Sequence, residues 1–391
     1  MRRARSRLAL LLAVAAATAA FALPAPASAA PQLAGVQSHT LWANVTGEEM
    51  DRQLDEMKAA GVAITRADVG WSSIEHERKG DVNHWYLDRL DHLVAGANAR
   101  GIKLLLMFFR TPCWASTAPE SLKQGCQGKY WDRGVDYYPP RHASDYAEAL
   151  AFLVKRYGDR VYSYEVWNEP NQHYFWTTDD PVGDYAALVR AAYPAAKAAD
   201  PRPLIVAGSL SDSDFEFADA LYRHGVKGSF DALSVHPYAG DRSPSETRTS
   251  SPRYSFVAGV PRIHDVMRSH GDPRPLWLTE FGWSTCSVRG GQHWQNCVGE
   301  STQADYLRRA FRQIRSWRYV AAAIWFKLKS TTASASDRTG NFGLIALDGR
   351  RKPAFYAFQA AAAAMRQVAR GRAERRRAQR TRLLRRAPTY R

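Results

Sequence analysis

Eight short runs of β-branched and aliphatic residues alternate with longer amphipathic segments through most of this 391-residue chain. The runs are LAGVQ from Leu33, VAITRADV from Val62, IKLLLMFF from Ile102, VYSYEVW from Val161, PLIVAG from Pro203, ALSVHPY from Ala232, PLWLTE from Pro275 and VAAAIWF from Val320. Strand-like runs separated by helix-length segments form βα units around a parallel sheet. Eight such units in roughly 330 residues fit a closed (β/α)8 TIM barrel in a single domain, the size range of that fold, and no stretch between Gln32 and Met365 has the composition of an interdomain linker. The first helix carries its own stop signals. Thr46 and Glu49 stand at capping-box spacing and Gly61 closes the far end. Further helices are expected near Asn83, Ala143, Pro181, Asp214, Val260, Thr302 and Pro353.

The two ends differ from the body. Residues 1–30 place Arg2, Arg3, Arg5 and Arg7 before an apolar stretch from Leu8 to Leu23 and finish on Ala27-Ser28-Ala29, the pattern of a cleaved secretory signal. The stretch is shorter than the ~20 apolar residues of a membrane span. Residues 31–365 are assigned to the barrel. Residues 366–391 hold eleven arginines against the single acid Glu374 and read as a disordered extension, with contact to an anionic cell envelope as its functional counterpart.

The formal charge of +16 suggests nucleic-acid binding until it is divided along the chain. Removing four charges for the leader and a net ten for the tail leaves +2 for the body, which excludes an electrostatic nucleic-acid groove and suits a neutral substrate such as a sugar. Export places Cys113, Cys126, Cys286 and Cys297 in an oxidising compartment, where three pairings are open. The local pairing would close two loops worth ~3 kcal/mol each. No pair has zinc-site CxxC spacing.

Two acids stand where a barrel keeps its chemistry. Glu169, in VWNEPN, lies just past the fourth strand, and Glu280, in LTEFGW, ends the seventh; the C-terminal ends of barrel strands face the active site. On plain alternation, Leu276, Leu278 and Glu280 share one side of their strand. Two converging carboxylates suit retaining glycoside hydrolysis, in which one protonates the leaving oxygen and the other attacks the anomeric carbon. Glu165 has the parity of Glu169 one layer deeper and reads as a buried acid paired with Arg66, His39 or Lys327. Trp325 ends the eighth strand in step with Ala321 and Ala323, which suggests a ring at the pocket floor. Trp71, Trp114, Trp283 and Trp294 are assigned to loops lining outer sugar subsites.

VWNEPN, SVHPY and LTEFGW, in that order and joined by TRADVGWSSIE and LDRLDHLVAGANARGIKLLLMFFRTPCWAS, resemble the clan A glycoside hydrolases from about Leu33 to Arg366. The pattern is most similar to glycoside hydrolase family 39 and its bacterial relatives, with the cellulase-like family 5 next. The resemblance implies Glu169 as acid/base, Glu280 as nucleophile and Asn168 as a ligand of the hydroxyl beside the reacting carbon. It also implies His236 and Tyr238 as a polar wall, with Tyr238 bonded to Glu280, and Arg66 beside the nucleophile. No metal or organic cofactor is implied. Unlike family 39 xylosidases, the chain after Lys327 has no β-rich region, only a loop, a helix and the arginine tail, which favours an endo-acting cleft over an exo-acting pocket. The expectation is a secreted retaining glycosidase of β-linked oligo- or polysaccharides, set against a non-catalytic glycan-binding barrel that keeps the fold without the chemistry.

Overall fold

The computed structural model describes residues 32–386; the expected leader lies outside them. Strands and helices alternate as β1 (Leu33–Ser38), α1 (Gly47–Ala60), β2 (Ile64–Gly70), α2 (His84–Ala99), β3 (Lys103–Phe109), α3 (Ala143–Tyr157), β4 (Ser163–Val166), α4 (Pro181–Ala199), β5 (Leu204–Ser211), α5 (Phe215–Arg223), β6 (Ala232–His236), α6 (Phe256–Ser269), β7 (Leu276–Phe281), α7 (Glu300–Ser316), β8 (Val320–Trp325) and α8 (Pro353–Arg386). Each strand pairs in parallel with the next, and β8 returns to β1, so the sheet is a closed eight-stranded barrel. All eight apolar runs are strands of it.

Local chemistry sets the helix ends. The Thr46 side chain accepts from Glu49 N–H at the start of α1, and Gly61 ends it at φ 76° with its N–H on the Lys58 and Met57 carbonyls. Asn83, Asp180, Asp214 and Ser255 cap α2, α4, α5 and α6 in the same way. Such caps satisfy backbone donors that have no partner within the helix.

Two cores follow from strand alternation. Ile64, Leu105, Val206, Ala232, Trp277, Ala322 and Ile324 fill the lower barrel interior. The opposite faces pack against the helices in the larger outer core, which includes Leu276, Leu278 and Trp325. That arrangement corrects two expectations. Trp325 is fully buried outside the barrel, against Phe281 and Trp283, with its Nε1 donating to the Phe342 carbonyl. Ile324 points inward, so the next inward side chain is Phe326, which reaches the cavity in place of Trp325. Leu276 and Leu278 likewise face outward and Trp277 inward. Plain alternation from Trp277 would send Glu280 outward, but the register of β7 against β8 shifts between Leu278 and Phe281, and this bulge turns Glu280 inward. Bulges at barrel rims commonly re-aim a side chain in this way.

A further shift lies in β5 between Ala207 and Leu210. Gly208 there has φ 123°, and a Cβ would fall 2.4 Å from the Ser234 carbonyl, so no other residue fits.

The tail also differs from expectation. The packed side of α8 runs through Phe355, Phe358, Ala362 and Met365, and Arg366 donates to the Gly61 carbonyl at 2.5 Å. The helix then continues to Arg386 instead of becoming disordered. Alanine, arginine, glutamine and leucine are good helix formers, and a helix already nucleated by packing extends at little cost.

The disulfides are Cys113–Cys126 and Cys286–Cys297, the local pairing, with sequence separations of 13 and 11. Each staples a loop at the C-terminal end of the barrel. In the loop-entropy view each contributes about 3 kcal/mol. The Cys286→Ser/Cys297→Ser double variant should lower the melting temperature by several degrees, measured by calorimetry; an unchanged melting temperature would show that this loop opens independently of the barrel.

Candidate active site

Arg66 occupies the middle of the barrel, two residues above Ile64 on the inward face of β2, and is fully buried. Its Nε donates to Glu165 at 2.6 Å, its Nη1 to Glu280 at 2.5 Å and to Gln37 Oε1 at 3.1 Å, and its Nη2 to Asn168 Oδ1 at 2.9 Å. Burial alone would lower its pKa, yet the surrounding carboxylates Glu165, Glu280 and Asp68 raise it above the ordinary value. Of the three partners considered for Glu165, the structure selects Arg66; the other Glu165 oxygen accepts from Ser234 at 2.7 Å.

Asn168 and Glu169 follow β4 on strained backbone. Trp167 and Glu169 adopt φ 71° and 46°, left-handed values that cost a non-glycine residue about 1–3 kcal/mol. Neighbouring strands hold them there. Trp167 N–H bonds the Phe108 carbonyl, Glu169 N–H bonds the Ser209 carbonyl, and the Trp167 ring packs on Phe109, Tyr146 and Trp176. Because Arg66 occupies Asn168 Oδ1, the Asn168 amide nitrogen is the group left to face the cavity.

His236 brings the two acids together. Its Nδ1 lies 2.8 Å from Glu169 Oε1 and 3.7 Å from Glu280 Oε2. The two oxygens are therefore no further apart than the sum of those distances, about 6.5 Å, a bound that accommodates the ~5–5.5 Å of retaining glycosidases. Burial lowers the His236 pKa to about 4, so the imidazole is neutral at physiological pH. Tyr238 OH donates to Glu280 Oε2 at 2.8 Å, the contact that the family resemblance implies.

The acids sit in different environments. Burial raises Glu169 to about 7 against the opposing effects of Arg66 and Ser211. Burial raises Glu280 as well, and the Glu169 charge adds to the rise, but Arg66 and the Tyr238 hydroxyl favour its charged form. One carboxyl can thus hold a proton near neutrality while the other is ionised, as paired acid and nucleophile require.

These groups open into a cavity of 1390 Å³ at the C-terminal end of the barrel. The four outer-subsite tryptophans expected from the sequence divide unevenly. Trp294 lines the cavity, whereas Trp71 and Trp283 are buried core residues and Trp114 packs on Trp71. Sequence reasoning missed Trp42, Trp85, Trp131 and Tyr174, which line the cavity and are exposed. Every exposed tryptophan among the described residues faces this one cavity. Asp68 was also missed, although it shares the inward parity of Arg66; it accepts from Gln37 Nε2 at 2.7 Å. Asp212 carried no signal. It adopts φ 58° at the cavity wall, and burial raises its carboxyl to about 6. Among the described residues no group of three or more His, Cys, Asp or Glu is placed to hold a metal ion.

Comparison with known proteins agrees with this architecture. The family described as Cellulase (glycosyl hydrolase family 5) matches residues 22–323. A β-xylosidase of Geobacillus stearothermophilus is 26% identical over 311 residues, 73% of this chain and 57% of the relative, and one of Caldicellulosiruptor saccharolyticus is 27% identical over 263 residues, 62% and 51%. The chain thus spans little more than half the length of these curated relatives. A family 39 glycoside hydrolase structure from Bacteroides cellulosilyticus superimposes with a TM-score of 0.64 at 23% identity, covering 85% of this chain and 64% of that one, a likeness of fold.

Two measurements check this site. Arg66→Met leaves buried carboxylates without their cation and should cost about 3–5 kcal/mol in denaturant unfolding; a loss below 1 kcal/mol would show that Arg66 does not hold the interior charge together. Glu169 has a folded pKa above its unfolded one, so its stabilising contribution is complete below the ordinary carboxylate value and is lost as pH rises through about 7. Glu169→Gln should therefore gain melting temperature over the parent at about pH 8 and little at about pH 4; an equal shift at both would contradict the raised pKa.

Proposed function

The chain belongs to the cellulase family, glycosyl hydrolase family 5, and from that membership we propose that it is a retaining glycosidase of β-linked oligo- or polysaccharides. The observation that carries the reading is one neutral histidine touching two buried carboxylates of unequal acidity at the foot of an aromatic-lined cavity.

In this mechanism Glu280 attacks the anomeric carbon while protonated Glu169 gives its proton to the leaving oxygen, breaking the glycosidic bond and forming a glycosyl ester on Glu280. Glu169, now ionised, takes a proton from water as the water attacks that carbon, releasing the sugar and restoring both acids. Arg66 and Tyr238 orient the Glu280 carboxylate and favour its charge. Asn168 offers its amide nitrogen to the hydroxyl beside the reacting carbon, a bond that can strengthen in the transition state. A cavity of 1390 Å³ with five exposed aromatics supports an endo-acting cleft, since ring faces bind successive sugars.

Export belongs to the same proposal. Two disulfides suit an oxidising compartment, and among the described residues no helix is long and apolar enough to cross a membrane. Arginine-rich α8 beyond Met365 would meet an anionic cell-envelope polymer.

Incubation with a panel of neutral 2-fluoroglycosides, followed by peptide mass spectrometry, tests the reaction. An adduct on Glu280, absent from Glu280→Gln, is expected; an adduct elsewhere would move the nucleophile. Glycan binding without any adduct would favour a non-catalytic barrel. Glu169→Gln should lower kcat by about 10²–10⁴-fold on substrates with poor leaving groups and far less on activated aryl glycosides.

A further inference from the structure

The charges of the cavity wall are matched locally, with one exception. Glu280 lies against Arg66, and Asp68 is 3.8 Å from the same guanidinium. Asp136 pairs with Arg110 at 2.6 Å, and Asp212 faces Arg253 at 3.6 Å. Glu169 is held by neutral His236 and retains its proton until about pH 7. The remaining cation is Arg338. Among the described residues no carboxylate lies within ion-pair distance of its guanidinium and no side chain or carbonyl accepts from it; Asp212, the acid that acts on it through space, faces Arg253 at 3.6 Å, and Arg253 also pairs with Asp214 at 2.8 Å.

Arg338 is held in place without that partner. Its carbonyl accepts from Ser284 Oγ at 2.7 Å, and its guanidinium lies over the Phe342 ring, 5.2 Å from the centroid. Phe342 in turn packs edge-on against Tyr238, whose hydroxyl reaches Glu280. Two residues, Phe342 and Tyr238, therefore separate Arg338 from the proposed nucleophile. Arg338 also borders a side cavity of 490 Å³ that shares Trp294 and Thr339 with the main one, so there is room beside it for a substituent; the Asp337 carboxylate on that cavity's wall is occupied by the Thr339 hydroxyl and the Gly340 N–H. Burial lowers the Arg338 pKa, whereas at Arg110 burial is overcome by Asp136, Tyr137 and Asp68 together, which raise it. Keeping a cation partly desolvated and unpaired is costly, and an anion that completes the pair recovers that cost.

We propose that Arg338 is a specificity-determining residue that receives an anionic substituent of the glycan, a uronate carboxylate or a sulfate ester, near the reacting sugar. The planar guanidinium can present two parallel N–H donors to either group. The assignment rests on the glycosidase reading for its location beside the reacting sugar, and it makes the substrate an acidic polysaccharide, unlike the neutral sugar suggested by the near-neutral body charge.

The test is calorimetric binding to the full-length Glu280→Gln variant, which keeps the ligand intact. The probes are cellohexaose, a β-1,4-linked glucuronate hexamer of the same backbone, and a 6-O-sulfated cellohexaose. The glucuronate hexamer should bind at least about tenfold tighter than cellohexaose at low salt, the gain shrinking as ionic strength screens it. Adding Arg338→Gln should level the two, and Arg338→Lys should restore part of the difference. Preference for the sulfated probe with the same dependence supports the anion site and names sulfate as its ligand. Cellohexaose binding as tightly as both anionic probes, a preference that survives Arg338→Gln, or no binding of any probe would overturn the assignment. The adduct experiment uses neutral reagents, so the glycosidase reading and the anion site fail separately.

Discussion

A buried arginine is tolerable only if its charge is answered on every side, and Arg66 shows how far that requirement reaches. Its guanidinium ties together strands β1, β2, β4 and β7 through Gln37, Glu165, Asn168 and Glu280. Below it the barrel is apolar, as the layer of Ile64, Leu105, Trp277 and Ile324 requires. Above it the interior must be polar, because a cation surrounded by carboxylates cannot be capped by hydrocarbon without the large penalty of an unpaired buried charge. The polar layer that solves the electrostatic problem is also the layer that holds the two acids.

The same interaction explains how the acids come to differ. Arg66 spends its Nη1 on Glu280 and reaches Glu169 only at a distance, so burial dominates Glu169 and is opposed at Glu280. His236 spans both acids yet adds no charge at neutral pH, since burial holds it neutral. Backbone irregularities then supply the aim. The β7 bulge turns Glu280 inward, and the left-handed residues after β4 bring Asn168 and Glu169 over the barrel mouth. Each irregularity costs energy and persists because the strands on both sides hold it.

The rim carries a different kind of specificity. Trp294 sits inside the Cys286–Cys297 loop and Trp131 follows the Cys113–Cys126 loop, so cross-links limit the freedom of segments that the barrel itself does not pack. Exposed rings are tolerable there because a bound chain of sugars would cover them. Arg338, stacked on Phe342, gives the same rim a cation without a partner.

Much of this was legible in the sequence. Eight apolar runs specified eight strands because a strand buried on both faces leaves a continuous apolar signature. Caps such as Thr46 and Asn83 specified helix starts, while the cysteine spacing allowed short local loops among three pairings and the structure decided for them. Glu169 and Glu280 stood out because a carboxylate at the end of an apolar strand is conspicuous, whereas Asn168, His236, Tyr238 and Arg66 entered through the family resemblance; the structure brings all six together. Which way a side chain points was another matter. The leucines of β7 were misread because a period of two holds only until a bulge adds a residue, and Trp325 because alternation alone does not say which of two apolar faces turns inward. The aromatic wall was misassigned for a related reason, since a tryptophan in a loop looks the same whether the loop turns it toward the core, as at Trp71 and Trp283, or toward the cavity, as at Trp42 and Trp85. Composition and periodicity are local properties, so they determined the elements and the inventory of chemical groups. The pairing of Arg66 with four distant residues, the aim of Glu280 and the unmatched charge of Arg338 depend on distances between parts of the chain far apart in sequence, and only closure of the barrel decided them.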